Sequence, residues 1–163
     1  MRRRTLLLAL ASVPLAAMPV SAEEAPVDIV AAIYKLSAGK DGKYQGESAV
    51  FKKPVQKKYF SKALLAEFEA NQRRSKASGD VGLDFDPVTS SQDPSVKELK
   101  IEPGASGADK AEVTASFRAY DAKQRLAVHY HFIRESGGWR LDNVTSDGGE
   151  ETWDLRKILR ETP

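Results

Sequence analysis

Between Ala111 and Ser146 apolar and polar residues alternate with a period of two, a pattern that no helix can satisfy. Three runs carry it, "AEVTASFRAY", "QRLAVHYHFIRE" and "GWRLDNVTS", joined by the short links "DAKQ" and "SGG". Links this short join antiparallel neighbours, because a parallel return needs a crossover of about a dozen residues. Val113, Ala115, Phe117 and Ala119 share one face of the first run, Leu126, Val128, Tyr130 and Phe132 one face of the second, and Trp139 and Leu141 one face of the third. A hairpin turning at Ala122–Lys123 sets Phe117 against Val128 and Ala115 against Tyr130, and one turning at Ser136–Gly137 sets Phe132 against Leu141. All three apolar sets then fall on one side of a single sheet, as a register determined by burial requires.

Upstream the period is helical. "APVDIVAAIYKLSAG" has Pro26 at a first helical position, Ile29, Ile33 and Leu36 on one face and Gly39 as a stop. "FSKALLAEFEANQRRSKASG" predicts a longer helix, with Ser61 as its N-cap, Leu64, Leu65 and Phe68 as its apolar stripe and Arg73, Arg74 and Lys76 near its negative end. A short helix is expected around Val55 to Tyr59, a further strand at "VKELKI", a loop at "EPGASGADK", and a closing helix carrying Leu155, Ile158 and Leu159. The order implies an α+β fold, with helices on one face of a curved antiparallel sheet of about four strands.

What lies on the other face depends on where the chain resides. Residues 1–22, "MRRRTLLLALASVPLAAMPVSA", read as an export signal: three arginines, a short apolar run broken by Pro14 and Pro19, and small residues before a cut after Ala22. The expectation is a periplasmic or secreted protein sent by the Sec route or, given "RRTLL", the twin-arginine route. Loss of the leader removes three arginines and no acid, so 25 basic and 23 acidic side chains become 22 and 23. The basic balance belongs to the precursor, and nucleic-acid binding loses its electrostatic support. Residues 23–163 suit a single domain with no membrane span. The absence of cysteine excludes disulfides, thiolate metal sites and thiol catalysis.

"DFDPVTSSQD", the strand ending "FIRESGGWRLDNV" and the final "WDLRKIL" together resemble the domain of unknown function 3828 family. The resemblance spans roughly Val27 to Leu159. It implies a bacterial, mostly exported protein with the nuclear transport factor 2-like (cystatin-like) fold, a cone of helices laid over a curved sheet around a pocket. It carries over no catalytic residue. The wider superfamily includes isomerases, dehydratases, cyclases and non-catalytic binding or dimerisation modules, so fold leaves function open.

Three constellations could carry chemistry. Asp84, Asp86 and Asp93 offer carboxylates for a cation or for acid–base work, but their spacing is not that of a calcium loop. Turns initiated by Asp86 before Pro87 and by Asp93 before Pro94, with Ser90 and Ser91 satisfying amides, account for the same residues. His129 and His131 point the same way from one strand, and the hairpin registers place Ser116 beside His129, and Thr114 and Asp142 beside His131. That cluster sits opposite the apolar face, lacks a third metal ligand, and reads as an exposed or dimer-facing polar ladder. On the apolar side Tyr130, Trp139, Asn143 and Thr145 are placed to line a greasy pocket, with Glu67 the nearest helical acid. No metal or cofactor is implied. The expected function is a non-catalytic module binding a small apolar ligand or an envelope protein, with homodimerisation as a further expectation. The alternatives are an isomerase or hydrolase using an Asp84/Asp86 pocket and an accessory protein docking through the outer sheet face.

Overall fold

A computed structural model describes residues 23–44, 47–120, 122–147 and 152–161, and the expected leader, residues 1–22, lies outside them. The elements run α1 (Pro26–Ser37), a 3-10 turn (Ala49–Phe51), α2 (Lys53–Tyr59), α3 (Lys62–Ser78), β1 (Lys97–Ser106), β2 (Lys110–Arg118), β3 (Leu126–Glu135), β4 (Gly138–Ser146), β5 (Trp153–Asp154) and α4 (Leu155–Glu161). The class is α+β, and the sheet has five strands in the order β1-β2-β3-β4-β5, every pair antiparallel.

Local chemistry explains the helices. Pro26 opens α1, where its missing N–H leaves no bond unmade, and Asp28 complements the positive end. Ser61 caps α3 by accepting from the Leu64 amide at 3.0 Å, and Gly79 closes it with φ of +80°. In α3 Leu64 and Phe68 are buried, while Leu65 is half-buried. The expected face of α1 is corrected: Leu36 is 47% exposed, and Tyr34 and Ser37 are buried in its place. The helix is wedged between β1, β2 and the 3-10 turn, so its buried stripe must be wide enough to meet neighbours on two sides.

The sheet departs from expectation at three points. β1 continues through "EPGAS" to Ser106 where a loop was expected. Pro103 is tolerated because β1 is an outermost strand, where a missing donor on the free edge breaks no ladder bond. In the β2–β3 hairpin Phe117 faces Leu126 and Ala115 faces Val128, two residues from the expected register. A slip of two preserves which side each residue faces, so the buried set is unchanged.

The third departure is a bulge in β4. Phe132 pairs with Leu141 as expected, but the next pair is His131 with Asn143, leaving Asp142 without a partner across the ladder. β4 changes phase there: Trp139 and Leu141 are buried before it, Val144 and Ser146 after it. Asn143 and Thr145 therefore do not lie on the apolar face.

The core fills the inner side of the sheet. Val113, Ala115, Phe117, Val128, Tyr130, Phe132 and Leu141 pack against Ile33, Tyr34, Leu64 and Leu155, none more than 1% exposed. Burying that many large side chains is the principal stabilisation available without disulfides, at roughly 1.5–3 kcal/mol for each large apolar side chain.

Candidate functional site

The outer face of the sheet is built from the polar positions of the alternation. Register places Glu112 opposite His131, Thr114 opposite His129 and Ser116 opposite Ala127. Ser116 is thus not the neighbour of His129; its hydroxyl and carbonyl meet the Arg125 guanidinium instead. Asp142 is not beside His131 either, because the bulge puts Asn143 there.

The neighbours that do assemble form an acid–histidine ladder. One carboxylate spans both rings: Glu112 Oε1 lies 3.3 Å from His129 Nδ1, and Oε2 lies 3.5 Å from His131 Nδ1. His129 Nδ1 also meets Thr114 Oγ1 at 3.1 Å, and its Nε2 meets Asp147 Oδ1 at 3.0 Å. His131 Nε2 meets Thr145 Oγ1 at 2.9 Å. Glu112 is shared by the two Nδ1 atoms, while the Nε2 atoms face different partners, Asp147 and Thr145, so every ring nitrogen is engaged within the ladder. No group of three or more His, Asp or Glu side chains among the described residues is placed to hold a metal ion.

Beside the ladder lies a groove of about 520 Å³, lined by Ala105, Lys110, Glu112, His131, Ile133 and Asp142 among others. Its volume falls within the range of small-ligand sites, roughly 300–1,000 Å³, and it has their composition, apolar walls with a few polar groups. β1 runs close to the ladder at Gly104, where an added Cβ would sit 3.3 Å from the Cβ and the carbonyl oxygen of Glu112.

A second polar cluster lies inside. The Tyr34 hydroxyl donates to the Val88 carbonyl at 2.8 Å, and its ring stands edge-on to Tyr44 and Tyr130 with centroids 6.2 and 6.1 Å away. Tyr130 is 0% exposed. Its hydroxyl lies close enough to feel that of Tyr34, yet among the described residues it meets no group at hydrogen-bonding geometry. Burial raises the pKa of both phenols, Tyr34 well above its ordinary value. Asp86 is drawn in too: burial raises its carboxyl, against lowering bonds from the Val88 amide, Ser48 and Thr89. Asp86 Oδ1 accepts from the Val88 amide at 2.8 Å and Oδ2 from Thr89 Oγ1 at 3.2 Å, so both oxygens are engaged in holding the turn.

The other expected pocket residues lie elsewhere. Asp84 is exposed and accepts from Gln92 Nε2 at 3.3 Å, and Asp93 is exposed with its amide held by Ser91 Oγ at 3.0 Å. Trp139 packs beneath the Arg134 guanidinium, 4.4 Å from its ring centroid. Asn143 is turned to α4, donating to Asp154 Oδ2 at 3.0 Å and accepting from the Arg156 amide at 3.1 Å. Tyr130 and Asp86 alone of that set come together.

A third network ties the bulge to the helices. Asp142 accepts from Ser61 Oγ at 2.6 Å and from Arg156 at 2.8 Å, while Arg156 holds Glu67 through two nitrogens at 2.8 and 3.0 Å. Glu67, with Asp142 behind it, raises the Arg156 pKa. These residues join α3, α4 and β4 and leave Glu67 committed to structure. The Asp84–Asp93 loop is braced likewise, by Trp153 Nε1 donating to Ser90 Oγ at 2.8 Å and by Phe85 against the Trp153 ring.

Glu112, Lys110 and Asp147 complete the outer site and were not singled out from sequence; Thr145, expected on the apolar side, joins them because of the bulge. The signal of Glu112 was present in the alternation, where it holds a polar position of an outward-facing run, but its partners depend on the exact register. Comparison with family models, with curated proteins and with solved structures finds no match to this chain.

Proposed function

We propose that this chain is an exported, non-catalytic binding module whose binding site is the outer-face groove beside His131. The observation that carries the reading is the contrast in packing across the sheet. The inner face is filled by Phe117, Tyr130 and Phe132, at most 1% exposed, whereas the groove offers about 520 Å³ with His131, Glu112 and Lys110 at its margin. Apolar walls with a cation, a carboxylate and an imidazole suit a small ligand, or a peptide segment of an envelope partner, that carries both an apolar body and a charged group. Catalysis by the acids expected from sequence is not supported: both Asp86 oxygens serve its turn, and Glu67 is held by Arg156. A kinship with nuclear transport factor 2-like modules, as the sequence resemblance implies, is compatible with the α+β architecture.

The test is an amide NMR screen of small organic acids, amines and short peptides against the isotope-labelled protein. Shifts gathered on Lys110, Glu112, His131 and Ile133, and lost in Ile133→Arg, are expected. Shifts gathered on Tyr34, Tyr44 and Tyr130 would move the site to the interior and end this reading.

A further inference from the structure

Charge is divided unequally between the two layers of the molecule. Between Lys52 and Lys76 stand eight basic side chains and two acidic ones, while the rest of the span from Glu23 to Pro163 carries 14 basic and 21 acidic. The near-neutral total therefore conceals a basic helical layer on an otherwise acidic protein.

The structure gathers those cations on one surface. Lys53 and Lys57 are one turn apart on α2 and both exposed, and Arg73 and Lys76 are likewise one turn apart and exposed on α3. The helices are stitched side by side where Lys53 Nζ donates to Gln72 Oε1 at 3.3 Å, and Gln72 is one turn from Lys76. Lys52, Lys57, Arg73 and Lys76 make no ion pair among the described residues. Of the two acids in this stretch, Glu67 turns away to Arg156 and Arg160, which leaves Glu69 as the acid on the exposed side. The apolar residues of the two helices, Val55, Tyr59, Leu64 and Phe68, are directed inward, so this surface has cations and no apolar wedge to insert.

We infer that the α2–α3 face docks on an anionic phospholipid bilayer surface. An exposed set of cations such as Lys52, Lys57, Arg73 and Lys76 on a near-neutral protein is what a plane of phosphates attracts, and attraction of this kind is reversible and screened by salt within a Debye length of about 8 Å under physiological conditions. A bilayer is favoured over a soluble polyanion because the exposed cations are spread over two helices and do not line the groove. The helices cover the inner side of the sheet, so a protein seated this way turns the outer-face groove away from the lipid.

The test uses the chain as purified after export, its N-terminus read by mass spectrometry so that every variant is compared with the same start. Co-sedimentation is measured with phosphatidylglycerol–phosphatidylcholine vesicles and with phosphatidylcholine alone. Binding to the anionic vesicles only, release at about 0.5 M salt, and a loss of at least about tenfold in Lys53→Glu/Lys57→Glu are expected. Lys100→Glu/Lys123→Glu, the same charge change at exposed sites on the sheet side, is expected to bind as the wild type does. Equal loss in both pairs would make the effect one of net charge and overturn the inference, as would equal binding to neutral vesicles or no binding at all. Binding to soluble polyphosphate without binding to vesicles would assign the face to a soluble polyanion and overturn it too. The four substituted positions are exposed, and unchanged thermal unfolding separates lost docking from lost fold.

Discussion

Tyr130 and His131 are adjacent in β3 and face opposite sides of the same sheet. Tyr130 is 0% exposed and its hydroxyl has no hydrogen-bond partner among the described residues; His131 is partly exposed and has partners at both ring nitrogens. The arrangement inverts the usual rule that burial demands satisfaction. Inside, the tyrosines are placed by ring packing, and the Tyr34 hydroxyl reaches the Val88 carbonyl that an apolar ring would leave stranded. Outside, water can serve any polar group, so the ladder of Glu112, Thr114, His129 and Thr145 stands at little energetic consequence to the fold. Function is thus expected where stability is least at stake.

If that contrast holds, the cost of removing a polar group should follow burial and partner loss. The largest effect is expected for Arg156→Ala, which strands the partly buried carboxylates of Glu67 and Asp142; urea unfolding should show a loss of about 3 kcal/mol. Tyr34→Phe leaves the Val88 carbonyl buried without its donor, and the same measurement should show a loss of about 1–3 kcal/mol. A value near zero would mean the carbonyl finds another partner and would erase the distinction between the two tyrosines.

Asp86 sharpens the comparison through pH. Its carboxyl is raised by burial, so the folded chain holds that proton more tightly than the unfolded chain does. Its contribution to stability is complete below the ordinary carboxyl value, about 3.9, and is lost as pH rises through the raised one. Asp86→Asn keeps an oxygen for the Val88 amide but cannot ionise. Wild type should therefore lose stability relative to this variant on going from acid toward neutral pH, and parallel curves would refute the assignment.

The two smallest effects address the opening pair directly. Tyr130→Phe removes a hydroxyl without a partner and should change stability by no more than about 0.5 kcal/mol or raise it slightly, in contrast to Tyr34→Phe. His131→Ala should also stay within about 0.5 kcal/mol, yet abolish the amide shifts in the groove. Loss of fold in His131→Ala would make the ladder structural and remove the separation between the two faces.

Much of this architecture was legible in the residues. The period of two across β2, β3 and β4 determined which side chains are buried, and it did so even though the β2–β3 register differs by two from the expected one, because such a slip preserves the alternation. Pro26 and Ser61 marked helix starts through chemistry that is local in sequence. The turn chemistry of Asp86 was likewise readable from its neighbours.

What the tertiary structure alone decided is who meets whom. The same slip of two exchanged Ser116 for Thr114 beside His129, and the bulge at Asp142 moved Asn143 and Thr145 off the apolar face. Two consecutive polar residues, Asp142 and Asn143, break the alternation between Leu141 and Val144, but the bulge is held there by the Ser61 and Arg156 contacts of Asp142, which come from distant elements. Side-chain direction follows from a two-residue repeat and is therefore local. Partnership follows from register, and register is set by contacts between strands and helices that no single run of sequence contains.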